Sequence, residues 1–148
     1  MVSEPEPQEP PSARRLTVLL VDDEVLVQHV TRRMLEHYGY RVFVAATPQE
    51  AIDKVESEPE SIDVVLTDLV MAGIDGPTLI RRLRERRDSL GIVYMSGYDP
   101  REIRERLGEL PGPEQLLRKP FSPAQMQRAI EAAAPTPHED DLPPAKTG

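Results

Sequence analysis

Four places in this chain set chemically capable residues directly behind a short apolar run. Asp22, Asp23 and Glu24 follow LTVLLV (16–21), and Asp68 follows IDVVLT (62–67). Ser96 follows GIVYM (91–95), and Arg118, Lys119 and Pro120 follow EQLL (114–117). If each run is a strand of one parallel sheet, all these residues share its carboxyl edge, where such sheets bind ligands. Three acids, a hydroxyl and a lysine then meet in one hollow. Carboxylates that close repel one another and take up protons. A hard divalent cation removes that penalty, and Mg²⁺ suits a few carboxylates with retained waters. A carboxylate nucleophile, a metal for phosphoryl oxygens, and two donors in Ser96 and Lys119 are the parts of a phosphoryl-transfer site. On this reading Asp68 stands at the mouth of a hydrophobic core in order to be phosphorylated.

The elements between these positions follow from periodicity and caps. Val27, Val30, Met34 and Tyr38 recur at steps of three and four, which predicts a helix over 24–38 with those residues inward. Gly39 stops it. YRVFVA (40–45) is the second strand, and Thr47-Pro48 is a cap with proline at the first helical position, opening a helix to about Ser57. A third helix runs from Pro77 to Arg86 with Leu79, Ile80 and Leu83 inward, and a short charged one from Pro100 to Leu107. Ser122-Pro123 repeats the cap, and Met126, Ala129, Ile130 and Ala133 line the last helix. Five strands alternating with five helices give an α/β fold, and continuous apolar strands require a parallel sheet covered on both faces.

Charge and composition narrow the function classes. Of the net charge of −8, residues 1–13 hold −3 and residues 135–148 hold −2, and half of the 16 prolines fall in those ends. Residues 1–14 and 135–148 are therefore expected to be disordered tails around a single domain over 15–134. The nearly balanced remainder, with 4% aromatic residues, offers no electrostatic case for nucleic acid. No run is long enough to span a membrane. The absence of cysteine excludes disulfides and thiolate metal sites and suits a cytoplasmic location. RRLRERR (81–87) reads as the wet face of the third helix rather than a binding patch, and His29 and His37 as surface or packing residues.

Taken together, LLVDDE, TDLVMAGIDG, MSGY and RKPF resemble the receiver domain of two-component response regulators, over roughly residues 16–133 and in the same order. The form of MSGY and the ending LPGPEQLLRKPFSP are most similar to receivers of hybrid sensor histidine kinases or to single-domain regulators. The resemblance implies a flavodoxin-like (βα)5 doubly wound sheet in the order 2-1-3-4-5. It implies Asp68 as phosphoacceptor, and Asp22, Asp23 and the Val70 carbonyl as Mg²⁺ ligands together with Asp68. It implies Ser96 as the switch hydroxyl, Lys119 as the phosphoryl-stabilising lysine, and a cis Lys119-Pro120 bond. The implied partners are a sensor histidine kinase or phosphotransfer protein and an unknown downstream protein. The implied function is that of a switch rather than an enzyme, one that assists its own phosphoryl transfer and autodephosphorylation.

Two positions depart from the family pattern. Ala72 replaces a usual proline, and Leu116 stands where a switch Tyr or Phe is common, which leaves Tyr98 or Tyr94 to couple the site outward. No DNA-binding or catalytic output segment is expected after the last helix. A haloacid-dehalogenase phosphatase would carry D-x-D-x-T after its first strand, where this chain has DDEVL. A dinucleotide site would need a glycine-rich turn there. The remaining alternative is a receiver-like docking module that works without phosphorylation.

Overall fold

The first strand shows how the sequence divides its side chains. Val18 and Leu20 bury on one face of the sheet, and Leu19 and Val21 on the other, as the two-residue period of a strand dictates. The computed structural model describes residues 15–58, 61–71, 73–112 and 115–135. The proline-rich ends expected to form tails (Pro135 apart), Ala72 and Glu114 lie outside these residues.

Strands β1 (Thr17–Val21), β2 (Arg41–Ala45), β3 (Val64–Asp68), β4 (Gly91–Ser96) and β5 (Leu116–Arg118) alternate with five helices. These are α1 (Val25–His37), α2 (Pro48–Ser57), α3 (Gly76–Arg84), α4 (Pro100–Leu107) and α5 (Pro123–Ala133). The five strands form one parallel sheet in the order β2-β1-β3-β4-β5. This is the flavodoxin-like arrangement. Val21 lies beside Thr67, and Asp68 beside Met95, so β1, β3 and β4 end together.

Two apolar layers cover the sheet. One packs Ala51, Ile52 and Val55 of α2, Leu79, Ile80 and Leu83 of α3, and Ile103 of α4 against Leu19, Val65 and Ile92. The other packs Leu35 of α1 and Met126 and Ile130 of α5 against Val18, Leu20, Leu66 and Val93. Burying a Leu or Ile side chain of this kind contributes roughly 1.5–3 kcal/mol. Reciprocal capping boxes hold the entries of α2, α4 and α5: Thr47 with Glu50, Asp99 with Glu102, and Ser122 with Gln125.

Three expectations need correction. Val30, placed on the inward face of α1, is 60% exposed. The inward stripe instead steps by four residues, Val27–Thr31–Leu35, with Met34 and Tyr38 half-buried beside it. Thr31 buries because its methyl packs as an aliphatic group does, a contribution that its polar classification hides. Strand five begins at Leu116, with Gln115 in a short turn, and extends through Arg118. Helix α3 ends at Arg84, not Arg86.

Gly76 sets how closely α3 approaches β3. A Cβ there would lie 2.8 Å from the Asp68 carbonyl oxygen and 3.0 Å from Cδ1 of Tyr94. Gly76→Ala should therefore cost about 1–3 kcal/mol in urea denaturation, the usual range for overpacking. A variant as stable as the parent would mean that the β3–α3 connection yields without strain.

Candidate functional site

β1 delivers Asp22 to the carboxyl edge immediately after its last residue, and the backbone N–H of Asp22 donates to the Ala45 carbonyl at the end of β2 (3.1 Å). The Asp22 side chain is completely buried. Its Oδ1 accepts the Glu24 backbone N–H at 2.9 Å. Its Oδ2 is buried with no hydrogen-bond partner. Glu24, the N-cap of α1, makes no side-chain cap, so helix capping does not account for the acids at this corner. Asp23 is exposed on the rim.

β3 ends in Asp68, almost wholly buried. Its Oδ1 accepts a hydrogen bond from Lys119 Nζ at 2.7 Å, and the same Nζ lies 3.6 Å from Asp22 Oδ2. Carboxylate oxygens of Asp22, Asp23 and Asp68 fall within 4.8 Å of one another. Burial, with the Asp22 carboxylate adding to it, lifts the Asp68 pKa from 3.8 to about 7 against the opposing hydrogen bond and charge of Lys119. For Lys119, burial alone would lower the pKa. The hydrogen bond and charge of Asp68, then the charges of Asp22 and Glu24, outweigh burial and raise it.

β4 supplies Ser96, buried, whose Oγ accepts the Tyr98 backbone N–H at 3.0 Å. β5 supplies Lys119, whose backbone N–H donates to the Ser96 carbonyl at 2.8 Å. The Lys119-Pro120 peptide is cis. Asp23, Glu24, Asp68, Val70, Ser96, Tyr98 and Lys119 surround an open hollow of about 300 Å³. The side chains expected from the strand ends therefore converge, and Val70 lies on the wall. Leu116, by contrast, is a half-buried aliphatic packed against the core, away from the hollow's lining. Tyr94 is buried against Gly76, which leaves Tyr98 as the ring at the site.

Two neighbours were not singled out by sequence reasoning. Glu24 lines the hollow, and its place in the run DDE was the available signal. Arg106 sits with its guanidinium 4.3 Å above the Tyr98 ring. That pairing spans eight positions across a turn and a helix, and no spacing rule marks it. The arginines of 81–86 and both His29 and His37 lie on the exterior, outside the hollow. No helix among the described residues is long and apolar enough to cross a membrane.

The donor set fits a hard divalent cation. It offers oxygen ligands only, two of the three carboxylates are buried, and one buried oxygen has no hydrogen-bond partner. A cation there would offset both the repulsion between Asp22 and Asp68 and the desolvation that raises Asp68.

Residues 18–131 match the family of response regulator receiver domains. The sensor kinase CckA of Brucella abortus (strain 2308) is 36% identical over 117 residues, 78% of this chain and 12% of the kinase. The alkaline phosphatase synthesis transcriptional regulatory protein PhoP of Bacillus subtilis (strain 168) is 30% identical over 115 residues, 78% of this chain and 47% of the regulator. This chain thus spans less than half the length of either relative. The crystal structure of the receiver domain from hybrid histidine kinase CckA superposes with a TM-score of 0.65 at 30% identity, covering 79% of this chain and 97% of that one.

Proposed function

We propose, because this chain belongs to the response regulator receiver domain family of two-component systems, that Asp68 accepts a phosphoryl group from a phosphohistidine. Receiver domains are phosphorylation switches rather than classical enzymes. The observation that carries the assignment to Asp68 is its Oδ1, held 2.7 Å from Lys119 Nζ beside two further carboxylates. In the transfer, an Asp68 carboxylate oxygen bonds to phosphorus while the phosphorus–nitrogen bond breaks and the imidazole departs. Lys119 orients Asp68 beforehand, then pairs with a phosphoryl oxygen. Ser96, on the same wall, donates its hydroxyl to another. Asp22, Asp23, Asp68 and the Val70 carbonyl would hold Mg²⁺, which supplies neutralisation of charge on the phosphoryl oxygens.

The docking face proposed for the phosphodonor, a histidine kinase or phosphotransfer protein, is the start of α1. Leu26 is 81% exposed, and Val25 and Val30 are 59% and 60% exposed, directly beyond the rim residues Asp23 and Glu24. Large apolar groups presented this openly beside a reactive hollow suit a partner that must bring its histidine to Asp68.

The test is incubation with Mg²⁺ and acetyl phosphate, followed by intact-mass spectrometry and peptide mapping. A single phosphoryl adduct on Asp68, absent from Asp68→Asn, is expected. No adduct with any phosphodonor would favour a docking module that works without phosphorylation.

A further inference from the structure

We infer that Tyr98 and Arg106 form a positioning pair that transmits the state of the Asp68 hollow to helix α4. The inference rests on the phosphoacceptor reading and adds to it the path by which the change leaves the site.

The path is a continuous set of contacts. Ser96 lines the hollow, and its Oγ accepts the Tyr98 N–H at 3.0 Å. Tyr98 lines the same hollow and packs, half-buried, against the core on the α2–α3–α4 side. The Arg106 guanidinium lies 4.3 Å over its ring. Arg106 belongs to the last turn of α4, and Asp99, the residue after Tyr98, caps the first turn by accepting the Glu102 N–H at 2.9 Å. Tyr98 therefore grips α4 at both ends, by chain continuity at the start and by its ring at the finish.

A phosphoryl group on Asp68 adds strong acceptor oxygens. Ser96 can serve them only by donating, and turning Oγ about χ1 to do so takes it away from the Tyr98 N–H. The 96–99 turn then loses the bond that fixes it, and the ring shifts from beneath Arg106. Neither of the other candidate couplers offers such a route, since Leu116 lacks a ring and Tyr94 is packed in the core.

The test is hydrogen–deuterium exchange of residues 99–107 in the full chain, with and without Mg²⁺ and acetyl phosphate, with Asp68 occupancy read from intact mass in the same samples. In the parent, phosphorylation should speed α4 exchange roughly 2- to 30-fold, the range that corresponds to loss of one cation–π contact. Tyr98→Leu and Arg106→Gln should exchange that fast before phosphorylation and gain little after it. Arg106→Lys should retain the response, because an ammonium also sits over a ring. Arg106 is exposed, so its variants spare the core. Full occupancy of Asp68 with unchanged α4 exchange in the parent would overturn this inference alone, as would an undiminished response in both Tyr98→Leu and Arg106→Gln. Failure of the parent to form any adduct would overturn the phosphoacceptor reading and, with it, this one.

Discussion

Chelating divalent cations should reduce acyl-phosphate formation on Asp68 by more than roughly a hundredfold while leaving the chain folded. Charge stabilisation by a bound metal is worth several kcal/mol in a phosphoryl-transfer transition state, and each 1.36 kcal/mol is about a decade in rate. The fold does not depend on that contribution, because Asp22 is tied to the Glu24 N–H and Asp68 to Lys119 without it. A quenched time course with acetyl phosphate, run with and without chelator and checked by circular dichroism, measures both halves. Undiminished phosphorylation in chelator would refute the metal role proposed for Asp22 and Asp23.

The second large effect concerns stability. With a folded-state pKa near 7 against an ordinary 3.8, Asp68 binds its proton more tightly in the native chain than in the unfolded one. Its carboxylate therefore destabilises the metal-free fold. The penalty is absent below about pH 4, grows as pH rises between the two values, and is complete above pH 7. The interval between 3.8 and about 7 corresponds to roughly 4 kcal/mol. Asp68→Asn removes that penalty but also deprives Lys119 of its 2.7 Å partner, so a net gain of about 1–3 kcal/mol is expected at pH 8. The gain should shrink toward zero by pH 4–5, and Mg²⁺ should narrow it by stabilising the parent alone. Urea denaturation across pH 4–8 measures this. A gain that does not depend on pH would show that the buried charge at Asp68 is not its source.

Most of the scaffold was legible because buried parallel strands read as unbroken apolar runs, and because Thr47-Pro48 and Ser122-Pro123 announce helix starts without tertiary help. The hollow was legible for a related reason. Each of Asp22, Asp68, Ser96 and Lys119 follows a strand, and a parallel sheet brings strand ends to one edge whatever the helices do. What escaped depended on packing angle. Whether Val30 or Thr31 faces the sheet turns on a rotation of about 100° between adjacent helical residues, and α1 seats the threonine. The Tyr98–Arg106 contact escaped because it depends on how α4 lies over its own preceding turn. Strand five was hard to delimit because so few of its residues pair.

Those few pairings matter beyond bookkeeping of the sheet. β5 meets β4 through only three register positions, Tyr94 with Leu116, Met95 with Leu117, and Ser96 with Arg118, and Lys119 hangs at its end. Asp22 and Asp68, by comparison, are rooted in interior strands with neighbours on both sides. Fraying confined to this edge would withdraw the ammonium from Asp68 while the other four strands stayed zipped. The site's sole lysine thus rides on its least anchored element, and brief excursions of that border strand set how often the aspartate is left without its counter-ion.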